Sequence, residues 1–312
     1  MNKLDRISDP FFLVYDSRSG STFLANLLIK FVGAAIPPET NFITALLSKY
    51  EKETIDNDLD LKQTIDIIYE DNKFSDWKLD RAELENYLDR SFPLTIRDLI
   101  LQICTLYKQN NYPNSQFFGL KKGVYLTKHR QMKQLFPQAK YVGIIRDGRA
   151  VFNSKKHSIY SVTGKPFETD PERAAKEWCR IYGFLQEAVQ KYPDEIIDIQ
   201  YEKMIEDPDS VIAELREFFN ISEVKEFGDK SYVISERYGN LHKNVKKEPL
   251  EKRITAWQET LSAEEIYAFE TVAYKQLLLA GYPTVNPKFL LKSRLLNKAW
   301  QFFQGLLNNR AN

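Results

Sequence analysis

The sequence predicts a three-layer α/β fold, a central parallel sheet flanked by helices, with a helical insertion. Two observations carry most of this. Phe11-Phe12-Leu13-Val14-Tyr15 and Tyr141-Val142-Gly143-Ile144-Ile145 are short unbroken apolar runs, the pattern of parallel strands covered on both faces. Phe117-Phe118-Gly119-Leu120 and Ile196-Ile197-Asp198-Ile199 repeat it. The third observation is what lies between: segments with apolar residues at helical spacing, the strand-helix alternation that builds a doubly wound sheet.

Composition bounds the function. With 312 residues the chain can bury a large core, and we read 1–286 as one domain, with 42–111 a mainly helical cap. Hydrophobic content of 43%, 28% charged residues and a net charge of +1 describe a globular protein with no basis for a nucleic-acid partner. Cys104 and Cys179 lack disulfide or zinc spacing and fit a reducing compartment. No apolar run reaches the roughly 18–20 residues of a membrane span, and no leader pattern precedes Phe11, so a cytoplasmic protein is expected. No clustered His or carboxylate ligands suggest a metal.

The first strand ends in Ser17-Arg18-Ser19-Gly20-Ser21-Thr22 and turns into a helix carrying Phe23, Leu24, Leu27, Leu28 and Phe31 on one side. Ser21 or Thr22 can cap that helix. Such a turn aims backbone N–H groups and the positive end of a helix dipole at one volume, and Arg18 adds a forked cation. By itself it is as compatible with a plain connection as with an anion site, and it lacks the Gly-x-x-x-x-Gly-Lys of nucleoside triphosphatases. Gly33 and Pro37-Pro38 then force an extended passage that leaves Glu39 on a loop. Helical spacing follows over 42–55, 59–70 and 93–110.

After the Phe117 strand comes Lys121-Lys122-Gly123, and Thr127 is placed to cap a helix reaching Phe136. The Tyr141 strand delivers Arg146-Asp147-Gly148-Arg149 to a helix that carries Ser154. Two strand-to-helix cationic turns imply a ligand with anionic groups at both ends, although Arg146 alone is equally suited to pairing with a strand-end carboxylate. Helices follow over 171–192 and 208–219, the first carrying Trp178 as a core residue. The last, over 261–279, has Ser262 and Glu265 at capping-box spacing.

Taken together these motifs resemble the sulfotransferases that use 3′-phosphoadenosine 5′-phosphosulfate (PAPS). Ser17-Arg18-Ser19-Gly20-Ser21-Thr22 is similar to their 5′-phosphosulfate loop, and Arg146-Asp147-Gly148-Arg149-Ala150-Val151 with Ser154 to their 3′-phosphate motif. Arginine in the first loop, Pro38-Glu39-Thr40 behind it, Lys121 before Arg146, and Tyr201-Glu202-Lys203-Met204 most resemble tyrosylprotein sulfotransferases and related bacterial enzymes. The likeness covers 11–221 apart from the insertion, and more loosely 242–282. It implies a P-loop-like fold, PAPS as co-substrate without a metal, and Arg18 and Lys121 as active-site cations. It also implies Tyr201 at the nucleotide, Lys243 and Asn244 on a closing loop, and Glu39 as base. Where the family often has another arginine after the 3′-phosphate serine, this chain has Lys155, Lys156 and Ser158.

The chemistry fits that resemblance. Sulfuryl transfer, like phosphoryl transfer, needs in-line geometry and cations on the equatorial and leaving oxygens. The acceptor hydroxyl needs a base, and a carboxylate beside a partly dry cleft is expected to have a raised pKa. His129, His157 and His242 fit structural or surface positions. The acceptor, whether a phenol, a peptide tyrosine, a sugar or a lipid alcohol, is left open. A P-loop-like kinase and a non-catalytic nucleotide-binding regulator are the alternatives. Finally, 287–312 has the pattern of a basic amphipathic helix, suited to packing on the body, to a homodimer, or to an anionic membrane surface.

Overall fold

A computed structural model describes residues 8–49, 54–160, 163–221, 230–234 and 252–286. Lys243, Asn244, His242 and the tail 287–312 lie outside them.

Strand β1, Phe11–Tyr15, leads into α1, Ser21–Leu27, which a π-helical turn extends to Val32 before Gly33 ends it at φ 73. β2, Ala34–Ala35, precedes a largely helical segment. That segment holds α2, Phe42–Lys49, β3, Thr54–Ile55, α3, Asp58–Tyr69, and a 3₁₀ turn Phe74–Trp77. It closes with α4, Arg81–Tyr87, β4, Leu94–Thr95, and α5, Ile96–Asn111. The next unit is β5, Phe117–Lys121, α6, Val124–Thr127, α7, His129–Leu135, β6, Tyr141–Ile145, and α8, Gly148–Lys156. A small hairpin of β7, Ile159–Tyr160, and β8, Lys165–Pro166, leads to α9, Pro171–Lys191, and β9, Ile196–Gln200. The described chain ends with α10, Tyr201–Glu206, α11, Pro208–Phe218, α12, Lys252–Thr260, and α13, Ala263–Leu279.

The five-stranded sheet has order β2-β5-β1-β6-β9 and is parallel throughout. Its central strand is the apolar run that opened the sequence, and Phe12, Leu13 and Val14 are completely buried. Helices lie on both faces, as the apolar character of both sides of β1 requires. The register sets Leu13 opposite Lys121 and Tyr15 opposite Ile144, so the carboxyl ends of β1, β5 and β6 converge. In an open parallel sheet that edge is where ligands bind.

The helical segment is part of the core. Trp77 and Tyr107 pack together with ring centroids 4.8 Å apart, and both rings reach Phe118 of β5. A second core joins α8, α9, α12 and α13 through Phe152, Trp178, Trp257 and Phe269. At its edge Arg149 is buried, bonded to Asp147 and Glu270 and stacked on Trp257. Such a paired, fully bonded guanidinium holds α8 against α13.

Local expectations differ in instructive ways. Thr127 does not cap a helix; its hydroxyl donates back to Val124 O, and the expected single helix is two short ones. The helix expected over 42–55 does not reach its predicted end: Thr54-Ile55 pairs as a strand with Leu94-Thr95. At Ser262 the capping box forms as its spacing indicates.

Candidate functional site

The turn after β1 is built around two left-handed residues, Arg18 at φ 72 and Gly20 at φ 94. Glycine is required at position 20, because a Cβ there would meet the Tyr201 ring at 2.3 Å. Arg18 occupies the same backbone region without that freedom, a strain of order 1 kcal/mol that the surrounding bonds must hold. Ser19 supplies one of them: its hydroxyl donates to Asp16 O at 2.6 Å. Beneath the turn Lys155 donates to both carboxylate oxygens of buried Asp16, at 2.7 and 2.8 Å. Gly20, not Ser21 or Thr22, is the N-cap residue of α1, and it makes no side-chain cap bond.

The two cationic turns meet. Arg18 Nε donates to Ser154 Oγ at 3.1 Å, and Arg146 Nη1 donates to Arg18 O at 3.2 Å. Arg146 also donates to Arg253 O on α12 at 2.8 Å and lies 4.2 Å over the Tyr201 ring. Its Nε is buried with no hydrogen-bond partner among the described residues. Burial and the neighbouring Arg146 charge lower the pKa of Arg18. Two guanidiniums brought together form an electropositive pocket that favours an anion.

Beside this pocket is a cleft of about 190 Å³, whose lining includes Ser17, Arg18, Ser21, Thr22, Glu39 and Lys121. Lys121, at the end of β5, is buried and donates to Glu39 Oε1 at 2.5 Å. Tyr15 donates to the same oxygen and accepts from Lys121 at 3.3 Å. Burial pushes the Glu39 carboxyl up, but Lys121, the Tyr15 hydroxyl and Lys73 together outweigh it, and the net shift is downward. The raised pKa expected from desolvation is therefore corrected: the cation at hydrogen-bond distance wins over the dry surroundings.

The loop carrying Glu39 is held from the helical segment. Trp77 Nε1 donates to Pro38 O at 2.9 Å. Asp71 accepts from Thr40 Oγ1 at 2.5 Å, from Asn41 N at 2.5 Å and from Asn41 Nδ2 at 3.0 Å. Lys122 donates to Thr40 O at 2.8 Å, and burial lowers its pKa to about 8.

Residues 10–226 match the model of the sulfotransferase family. The chain belongs to that family. Over 109 residues, 35% of this chain, it is 28% identical to protein-tyrosine sulfotransferase A of Caenorhabditis elegans, and the match spans 27% of that protein's length. The sulfotransferase domain from the curacin biosynthetic pathway has the same fold, with TM-score 0.61 at 17% identity over 89% of this chain and 99% of that one. The sulfotransferase domain of the Synechococcus PCC 7002 olefin synthase gives 0.51 at 18% identity over 86% and 96%.

Within this family fold, Ser17, Arg18, Ser21, Thr22, Glu39 and Lys121 share the cleft, while Arg146, Ser154 and Tyr201 surround the turn. Ser19 is the exception, its hydroxyl used inside the turn. Arg146 bonds two carbonyls rather than a strand-end carboxylate. Lys155 and Lys156 are engaged by Asp16 and Glu265. Trp178 is core, its Nε1 donating to Arg146 O at 3.0 Å. His129 is packed between Tyr141 and Tyr192, away from the cleft. The sequence reading missed Tyr15, Lys73 and Tyr232, which line the cleft together with Tyr160 and Phe167. Only Tyr15 carried a signal, as the last residue of a strand entering an anion turn.

Proposed function

We propose that the protein is a PAPS-dependent sulfotransferase that transfers a sulfuryl group to a hydroxyl acceptor, with Glu39 as general base. The observation that carries this is the convergence of Arg18, Lys121 and Glu39 on one cleft, beside a turn to which Arg146 and Ser154 are bonded. The residues fit a doubly anionic donor. Arg146 Nε, unpartnered among the described residues, is a donor awaiting an acceptor, and an anion would offset the burial and the Arg146 charge that lower the Arg18 pKa. Ser17, Gly20, Ser21, Thr22 and Arg18 would hold its 5′ end, and Arg146, Ser154 and Tyr201 its 3′ end. Ser19 would support the turn, and the family motif adds Lys243 and Asn244. Bound there, the donor supplies an activated sulfuryl group on a phosphate leaving group.

The chain's own part is charge and proton handling. Arg18 and Lys121 stabilise negative charge building on the transferring and leaving oxygens, each removable donor worth roughly 10²- to 10³-fold in turnover. Glu39, held ionised by Lys121 and Tyr15, takes the acceptor proton. A carboxylate held low is a weak base, better matched to a phenol, with pKa about 10, than to an alkanol. The aromatic walls Tyr15, Tyr160, Phe167 and Tyr232, and the partial likeness to protein-tyrosine sulfotransferase A, support a phenolic acceptor. Cytoplasmic placement and a peripheral or self-associating role for 287–312 belong to the same proposal.

Calorimetric titration with adenosine 3′,5′-bisphosphate, and with ATP plus magnesium in parallel, tests the donor site. Bisphosphate binding that weakens at least about 100-fold in Arg146→Ala supports the proposal. Preference for ATP with magnesium would replace it with the kinase reading.

A further inference from the structure

We propose that Tyr15 is a positioning residue for Glu39: its hydroxyl and the Lys121 ammonium together occupy Oε1, leaving Oε2 to meet the acceptor hydroxyl. The inference rests on the base assignment made above.

The geometry is a closed triangle. Tyr15 OH donates to Glu39 Oε1, Lys121 Nζ donates to the same oxygen at 2.5 Å, and Lys121 Nζ also donates to Tyr15 OH at 3.3 Å. A phenol has one proton to give and lone pairs to accept with, so Tyr15 fills both roles without leaving either neighbour unbonded. Its ring serves too. The Lys121 ammonium sits 4.5 Å from the centroid of Tyr15 and 5.1 Å from that of Tyr232, between two π-faces. The cation is therefore caged, and the carboxylate that bonds it is fixed in plane and direction. Oε2 receives no hydrogen bond from the described residues, and Glu39 lines the cleft.

Tyr15 is suited to this by its place as well as its chemistry. As the last residue of the central strand it is anchored by the sheet, whereas Glu39 lies on a loop. Burial and the Glu39 charge raise its pKa well above that of an ordinary tyrosine, so it remains a proton donor across the working range. The other groups facing Glu39 are Lys121 and Lys122 at the end of β5, Lys73 before the 3₁₀ turn, Tyr125 on α6 and Tyr232. Tyr15→Phe leaves all of these in place, keeps the ring under the ammonium and removes one donor.

The test is a ¹³C NMR titration of protein labelled at glutamate carboxyls, with the Glu39 resonance identified by its loss in Glu39→Gln. Tyr15→Phe should move the Glu39 midpoint to higher pH, since a hydrogen bond to the charged form has gone. With labelled PAPS and 2-naphthol as probe acceptor, kcat should fall about tenfold at unchanged acceptor KM, and the acid limb should follow the midpoint upward. A merely structural tyrosine would lower kcat without moving the midpoint, and an unmoved midpoint overturns the inference. Should Tyr15→Phe fail to fold, a protected downfield Tyr15 hydroxyl proton in the wild type, lost in Glu39→Gln, gives the same answer, and its absence refutes it. Wild-type transfer by Glu39→Gln would instead sink the base assignment, whatever the titration shows.

Discussion

Asp71→Asn is the most informative single change outside the cleft. Asp71 accepts four hydrogen bonds, from Thr40 Oγ1, Asn41 N, Asn41 Nδ2 and Lys73 N, the last at 3.1 Å. Asparagine keeps the shape and one carbonyl oxygen, but turns an N–H₂ towards donors that previously met a carboxylate. At least one backbone bond to a charged acceptor is lost, a loss of roughly 1.5–3 kcal/mol. Asp71 is half-buried, so about 2 kcal/mol is the better figure. For a chain of 312 residues that is a fall in Tm of roughly 3 °C. Activity should suffer as well, by about tenfold in kcat, because the released turn carries Glu39. Burial pushes the Asp71 carboxyl up, but the donors from Thr40, Asn41 and Lys73 hold it below its ordinary value. A folded-state pKa below the unfolded one, about 3.9, contributes stability above that pH and loses it as pH falls through the folded value. The deficit of Asp71→Asn should therefore be constant from pH 6 to 8 and shrink under acid. Scanning calorimetry at neutral pH and near pH 4, with kcat alongside, checks this. Equal melting temperatures at pH 7, or a deficit that grows under acid, would refute the reasoning.

Two further outcomes follow from the site. Lys121→Ala should lower kcat by roughly 10²- to 10³-fold. With the cation gone, burial dominates at Glu39 and its pKa rises, so the residual activity should show an acid limb at higher pH than wild type; a limb that stays put would mean Lys121 does not govern Glu39. Gly20→Ala meets the Tyr201 ring at 2.3 Å and adds a side chain at φ 94, so bisphosphate affinity should drop at least about tenfold; unchanged affinity by calorimetry would show that the turn tolerates displacement.

The legible part of the sequence was whatever local pattern encodes. Continuous apolar runs marked β1 and β6, and the residues directly after them had to fall at one edge of a parallel sheet. Motif spacing then brought in Glu39 and Lys121, which are 82 residues apart and in contact. What the pattern could not show was partner choice. Ser17, Ser19, Ser21 and Thr22 look alike as hydroxyl donors, yet Ser19 is bonded within the turn because its backbone faces Asp16. Lys155 reads as a surface cation on a helix, and only the tertiary approach of α8 to the turn after β1 places it on Asp16. Tyr232 reaches the Lys121 ammonium from far along the chain, and no periodicity anticipates that. The Glu39 pKa direction was missed for the same reason: desolvation can be guessed from a cleft, but a cation at 2.5 Å cannot.

The Arg146 guanidinium joins the carbonyl of Arg18, made early in synthesis, to that of Arg253, made late. The anion pocket therefore has no complete scaffold until α12 has docked. A nascent chain that has formed all five strands still lacks one wall of it, so donor affinity would report on assembly of the C-terminal helices. By mass action, a ligand that binds only the assembled pocket holds those helices closed. In this fold, then, a ligand of the anion pocket would also be a folding effector, linking the turn after β1 with α12.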